Sequence, residues 1–293
     1  MAFTIERTGP ACHDLSMQYS RGKDWEQWVY LGADAHIDNP HSRLDLKRRH
    51  LNEALRRGAP ILEFGDTLDL MQGKADRRAD KSSLREELRR TDYLNGVIEF
   101  ADEFYKPYRE NLVYLGKGNH ETAITKHYEF DPLSALAYTM RSQGSPVQLG
   151  GYRGWVRFRF YRPDDNRKAR GVYYVNLYQN HGSGGGGPVT RGVIRTNRDA
   201  TYLPDADVVV GGHIHEAWHV EVPRVRLGQN GQERTQIQHH LRIPTYKEEF
   251  INEPDGYHSE NGRPPKPLGA WWLRFYWSTD LDRINFQPIR TEQ

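Results

Sequence analysis

The chain has 293 residues, enough for one large α/β domain or two smaller ones and for a sizeable buried core. Its 41 Lys and Arg against 39 Asp and Glu leave a formal charge of +2, too little for the electrostatic footprint of a pure nucleic-acid-binding module. A single cysteine, Cys12, excludes an internal disulfide framework and a cysteine-rich zinc knuckle, while 13 histidines invite a metal.

The elements are best taken in chain order. "EQWVYLGADAHID" reads as a short apolar strand, Trp28 to Leu31, running into a polar tip. "SRLDLKRRHLNEALRRG" reads as a helix, with Leu44, Leu51 and Leu55 at helical spacing and Gly58 as its stop. "APILEFGDTLDL" is a second strand ending in Gly-Asp. "MQGKADRRADKSS" is polar and charged, and an exposed excursion is expected at 71–83. "KSSLREELRRTDYLNGVIEFADEFYKPYREN" has a long helical pattern with a break at Gly96. "LVYLGKGNHE" is a third strand with a polar tip, and "DPLSALAYTMRSQG" a further helix.

From Tyr152 the texture changes. "YRGWVRFRFYRP" and "GVYYVNLYQNHG" cluster or alternate aromatic and β-branched residues, as strands do. "ADVVVGGHIH" is the next strand, and the tail at 268–289 reads as a closing hairpin around "STDLD". The expected fold is α/β, with two packed mixed β-sheets forming a sandwich flanked by helices, in a single domain over 1–293. The first twenty residues lack an apolar core of signal-peptide length, and no stretch approaches the ~20 apolar residues of a bilayer span. A soluble cytoplasmic protein with no membrane contact is expected.

Five strands end in residues that bind metals. They are Asp34 and His36 in "GADAHID", Asp66 in "GDTLD", Asn119 in "GNHE", His181 in "QNHG", and His213 with His215 in "GGHIH". Open α/β sheets gather ligands at the carboxyl ends of their strands. In extended geometry residues i and i+2 share a side, so Asp34 with His36, and His213 with His215, are each expected to face one site as a pair. Taken singly, an aspartate at a strand end is more often a cap or turn residue, and a lone histidine more often solvated or hydrogen-bonded. Their joint occurrence shifts the odds.

The blocks "DAH", "GDTLD", "GNHE", "NHG" and "GHIH", in that order, resemble the calcineurin-like metallophosphoesterases. The resemblance implies a centre for two divalent transition ions, manganese first, with iron, zinc or nickel as alternatives. It implies Asp34, His36, Asp66 and His215 around the first ion, and Asp66, Asn119, His181 and His213 around the second. Asp66 would bridge ions about 3.5–4 Å apart. A metal-held hydroxide would attack phosphorus, and His120 would contact the phosphate and protonate the leaving oxygen. Asp69 would hold His120 by a hydrogen bond, and Glu121 would play a supporting structural role.

Phosphoprotein phosphatases of the superfamily carry arginines where this chain has Leu70 and Lys117. A phosphodiester carries one negative charge at phosphorus and needs fewer cationic clamps. The sequence therefore looks more like the phosphodiesterase and DNA-repair nuclease branches, with a nucleic acid or nucleotide as substrate. A phosphomonoesterase or nucleotide pyrophosphatase using the same site stays open, as does a non-catalytic scaffold, although scaffolds usually lose ligands. Repair nucleases of the superfamily often work with an ATPase, but neither such a partner nor a homo-oligomer can be read from the sequence.

Arginines offer further candidates. After the glycine run "GSGGGG" at 182–187, Arg191, Arg195 and Arg198 follow at roughly helical spacing, and Arg191 and Arg195 are candidate phosphate contacts. Arg157 and Arg159 share one face of their strand with Trp155, where the outer face of a sandwich strand is favoured over a base-stacking surface. Asp38 is expected to cap the following helix. His13, His41, His50, His127, His219, His239, His240 and His258 match no block, and His239 and His240 are expected to be exposed.

Overall fold

A computed structural model describes residues 3–71, 84–162, 171–185, 187, 189–228, 230–251 and 260–293. Of the excursion expected at 71–83, only Met71 lies among them.

The described strands are β1 (Phe3–Gly9), β2 (Cys12–Gln18), β3 (Glu26–Gly32), β4 (Ile61–Phe64), β5 (Leu112–Gly116), β6 (Gln148–Leu149), β7 (Arg153–Tyr161), β8 (Tyr173–Asn180), β9 (Val208–Gly211), β10 (Trp218–Leu227), β11 (Glu233–Arg242), β12 (Trp271–Ser278) and β13 (Arg283–Arg290). The helices are α1 (Leu44–Arg56), α2 (Tyr93–Tyr105), α3 (Asn119–Tyr128), α4 (Pro132–Ser142) and α5 (Arg195–Tyr202). One sheet has the order β1-β2-β7-β8-β9-β11-β10 and the other β13-β12-β3-β4-β5-β6. Both are mixed. The second holds a parallel run from β3 to β6, closed on one side by the antiparallel pair β12 and β13.

Strand alternation builds the layers. Val29 and Leu31 of β3 enter the space between the sheets, where they join Val156, Phe158 and Phe160 of β7 and Leu273 and Phe275 of β12. Tyr30, between them, faces the other way, into a core roofed by residues of α1, α2 and α4. On β9, Val208 and Val210 face the sandwich, while Val209 joins Tyr178 and Leu203 beside α5. The result is two packed mixed sheets flanked by helices, as the strand–helix pattern leads one to expect. Among the described residues, no helix is long and apolar enough to cross a membrane.

Several local expectations are corrected. The long helical pattern does not break at Gly96. A 3-10 turn occupies Glu86–Leu88, the helix starts only at Tyr93, and it runs through Gly96. There the Arg90 side chain fills the space that a Cβ would take, 2.7 Å from its Cδ. Leu55 turns outward on α1, and Ala54 packs inward in its place. Asp38 caps no helix. Its carboxylate accepts the backbone N–H groups of Asp69 (2.6 Å) and Leu70 (2.9 Å) and the Tyr93 hydroxyl (3.2 Å). His239 and His240 are not exposed, because β11 lies between β9 and β10.

Behind the parallel strands sits a fully buried ion pair, Lys47 on α1 with Glu63 on β4. The ammonium also lies 3.2 Å from the Tyr30 hydroxyl and over the Tyr246 ring. Burial drives the Lys47 pKa down and that of Glu63 up, each opposed by its partner's charge. Lys47→Met strands the carboxylate and is expected to cost about 3–5 kcal/mol in urea unfolding, with Lys47→Met/Glu63→Leu recovering most of that loss.

Candidate metal centre

The five polar tips meet at one end of the sandwich. Asp34 and His36 follow β3, Asp66 follows β4, Asn119 follows β5, His181 follows β8, and His213 and His215 follow β9. Both sheets therefore contribute. The β3 and β4 tips stay zipped past their strands, with Asp34 N–H on the Gly65 carbonyl and His36 N–H on that of Asp66, both 3.0 Å. Gly212 N–H reaches the His181 carbonyl at 2.9 Å, joining the β8 and β9 tips. The sheets are tied across the site by the His213 N–H, which lies 2.8 Å and 3.0 Å from the two carboxylate oxygens of Asp34.

The backbone at the tips is not extended, which corrects the reason for the paired side chains. Asp34 (φ 49°), His36 (φ 43°), His213 (φ 73°) and His215 (φ 55°) are all left-handed, and so is Asp66 (φ 48°). Such a conformation costs a residue with a Cβ of order 1–3 kcal/mol and persists where surrounding bonds over-determine it. Its concentration in five site residues marks this end of the molecule as specialised.

Two glycines are required by close approach. A Cβ on Gly118 would stand 2.0 Å from Asp66 Oδ1, and one on Gly212 would stand 2.2 Å from Asp34 Oδ2. Gly212→Ala is therefore expected to displace the Asp34 carboxylate and lower metal uptake while the sandwich stays folded, as metal analysis beside circular dichroism would show.

The donor atoms form two adjoining groups. In the first, His36 Nε2 is 3.3 Å from His215 Nε2, which is 3.4 Å from Asp34 Oδ1. Ligands held at about 2.0–2.1 Å around a tetrahedral ion stand roughly 3.3 Å apart, so this spacing fits one ion. In the second, Asp66, His181 and His213 converge, and Asn119 Oδ1 lies 2.6 Å from His213 Nδ1. His181 Nε2 lies 3.1 Å from Asp66 Oδ2 and 3.9 Å from Asp34 Oδ1, so the groups share a wall of carboxylate.

His181 supplies the sharpest test of fit. It is wholly buried, and its Nδ1 faces the Phe64 carbonyl at 3.0 Å, which fixes the proton there. Nε2 is left without a hydrogen-bond partner and aimed at two carboxylates. Burial alone would lower its pKa, but Asp66 and Asp34 push it up to about 10. Burial would raise Asp66, yet His181 and His120 hold it well below the usual carboxylate range. The pocket thus demands positive charge between these atoms, as a proton or as a metal ion, and imidazole–carboxylate sets suit transition ions.

The supporting contacts differ in part from expectation. His120 opens α3, its N–H on Asp66 Oδ1 at 3.0 Å and its Nε2 3.8 Å from Asp66 Oδ2. Its Nδ1 is held by the backbone carbonyl of Asp69. The Asp69 carboxylate, expected to grip His120, lies 3.9 Å from that nitrogen and instead 2.8 Å from His36 Nδ1. The left-handed turn at Leu70 (φ 52°) and the grip of Asp38 on this loop turn the carbonyl, not the side chain, toward His120. Asp69 thereby orients a candidate ligand, His36, in the manner of carboxylate–histidine–metal arrangements. Glu121 is a backbone staple, accepting the N–H groups of Asp66 (3.1 Å), Leu68 (3.1 Å) and Gly118 (2.8 Å).

Lys247 and Asn39 were not singled out in the sequence. Lys247 Nζ lies 3.4 Å from Asp69 Oδ1, and Asn39 Nδ2 donates to Asp69 Oδ2 at 2.9 Å. "IPTYKEE" carries no motif. The Tyr246 N–H and the Thr245 hydroxyl, both on the Asp34 carbonyl, draw that segment to the site.

The candidate arginines lie farther out. Arg191 is exposed, and its carbonyl accepts the Trp218 indole N–H at 2.9 Å. Arg195 opens α5 with its Nε 3.5 Å from Asp199, close enough to Tyr152 and Arg242 for its charge to act on both. Arg157 pairs with Asp14 through Nε and Nη2 and covers the Tyr174 ring, and Arg159 lies over Tyr161, as the outer face of a sandwich strand would have it.

No protein-family model matches the chain, and no curated protein matches it. Solved structures with detectable similarity include Vacuolar Protein Sorting 29 from Cryptosporidium parvum, at 15% identity and a TM-score of 0.36, over 92% of this chain and 100% of that one. Vps29 complexed with zinc from Entamoeba histolytica gives 10% identity and a TM-score of 0.36, over 90% and 99%. GAP50, the anchor in the inner membrane complex of Plasmodium, gives 10% identity and a TM-score of 0.40, over 92% and 90%.

Proposed function

We propose that the chain is a metal-dependent phosphoesterase that hydrolyses phosphodiester bonds of a nucleic acid or nucleotide. The observation that carries this reading is the pair of adjoining donor groups, Asp34–His36–His215 and Asp66–His181–His213, joined at two buried carboxylates. When bound, a pair of divalent ions supplies Lewis-acid activation of water and neutralises charge on the phosphoryl group. Asp34, His36, His215 and Asp66 would hold one ion, and Asp66, Asn119, His181 and His213 the other.

The remaining residues do ordinary protein chemistry. His120 holds a proton at Nε2 and donates it to the leaving oxygen. Burial would lower its pKa, but Asp66 and Asp69 raise it above the ordinary 6.5, keeping that proton available near neutrality. Asp69 and Lys247 keep the His36 ring in place. Arg195, on the rim, is the candidate contact to the flanking phosphate or nucleotide.

Two facts favour a diester over a monoester dianion. Leu70 is buried, and Lys117 is engaged by Asp131 at the start of α4, so neither position offers a cation to a terminal phosphate. Hydrolysis of bis-p-nitrophenyl phosphate beside the monoester, with manganese and with chelator, tests the reading. Faster, chelator-sensitive diester turnover is expected. Preference for the monoester would turn the assignment to a phosphomonoesterase or pyrophosphatase, and a chain that binds no metal would be a scaffold.

A further inference from the structure

We propose that His219, Glu221 and His239 form a second, separate site for one divalent transition ion of the zinc or nickel class. The three residues lie on the antiparallel pair β10–β11. Glu221 stands directly opposite His239, and His219 shares its face of β10 at i−2. None of the three belongs to the centre described above.

His219 Nε2 lies 2.9 Å from His239 Nδ1, and the rings stack with planes 24° apart. Glu221 Oε1 is 3.9 Å from the first nitrogen and 3.7 Å from the second. Two imidazole nitrogens at about 2.0–2.1 Å from one ion stand roughly 2.9–3.3 Å apart as the angle between them opens from square to tetrahedral. The nitrogens are already at that separation, and the half-exposed carboxylate needs only a side-chain rotation to close on them. Without an ion one ring nitrogen donates a hydrogen bond to the other; when an ion binds, that proton moves through solvent to the other nitrogen of its own ring, so both facing nitrogens present lone pairs and both imidazoles stay neutral.

The surroundings favour the metal-binding form. Both rings lean on aromatic residues of the opposite sheet, His219 on Trp271 and His239 on Phe286. Burial lowers both pKa values, that of His239 to about 4, so the imidazoles are neutral and keep free lone pairs at pH 7. Two neutral imidazoles and one carboxylate, with water completing the shell, select zinc, nickel or cobalt over magnesium or calcium. The consequence is mechanical. β10 is the last strand of its sheet, and an ion here would pin it to β11 beside the mouth of the sandwich.

The test is zinc uptake by equilibrium dialysis, with metal analysis, in paired chains with and without His239→Gln, in both the wild-type and the Asp66→Asn backgrounds. In each background His239→Gln is expected to remove about one equivalent. The readout is the difference within a pair, so it holds whatever number of ions the main centre takes. Equal uptake within the pairs overturns the proposal. Should His239→Gln fold poorly by circular dichroism, Glu221→Gln replaces it. In the Asp66→Asn background that variant is expected to weaken zinc binding and abolish the zinc-induced rise in Tm, with the metal-free Tm unchanged. An unchanged zinc response overturns the proposal equally.

Discussion

Asp66→Asn is expected to strip the centre of metal and to reduce phosphodiester hydrolysis by about a thousandfold or more. Asp66 groups with His181 and His213 on one side and with His36 and His120 on the other. Replacing its charge with a neutral amide therefore weakens both ion sites at once. Two-metal centres supply several kcal/mol of charge stabilisation, and each 1.4 kcal/mol is about tenfold in rate. Asparagine keeps the volume and can still accept the His120 N–H through its Oδ1, so the turn into α3 should survive. Metal analysis, turnover and circular dichroism on the same preparation separate the outcomes. Loss of activity with metal retained would contradict the bridging role, and loss of fold would show that the carboxylate acts mainly as a backbone clamp.

The second large effect is expected from His120→Ala, which should keep the metal and lose about 10²–10⁴-fold in kcat. An acid matters most when the leaving group is poor. The loss should be smaller with p-nitrophenyl esters than with a dinucleotide, whose leaving alkoxide needs the proton. The sign of the pH effect follows from the neighbours. Asp66 and Asp69 raise the His120 pKa above 6.5, so the acid is present below the raised value and activity declines as pH rises through it. In His120→Ala that alkaline decline should vanish. A variant that keeps full activity on the dinucleotide would take the role of acid away from His120.

Much of the candidate site was legible because its residues sit in short blocks whose spacing survives any fold: Asp34 and His36, Asp66 and Asp69, Asn119 and His120, His213 and His215. What the blocks do not carry is backbone conformation. The extended pairing assumed for Asp34 with His36 is replaced by two left-handed residues, and the Asp69 carboxylate faces His36, not His120. Lys247 was invisible because the fold brings it to Asp69 from a distant, motif-free segment that is drawn in by the Tyr246 N–H and the Thr245 hydroxyl on the Asp34 carbonyl. Edge strands were harder than central ones. β1 and β10 alternate with charged residues, and β10 contains Pro223, which an edge strand tolerates and a central one does not. With β10 unread, nothing in the sequence covers His239 and His240, which is why they are expected to be exposed.

The division of the candidate ligands between the two sheets has a consequence for folding. β3, β4 and β5 carry Asp34, His36, Asp66 and Asn119, while β8 and β9 carry the remaining histidines. Neither sheet alone possesses a centre, so a half-assembled chain offers the ions only fragments. Cations that prefer the closed form stabilise it by mass action, and more so as their concentration rises. Loss of metal should then show first as faster amide hydrogen exchange along β4 and β9, where the two sheets part, while the helices over the outer face keep their protection.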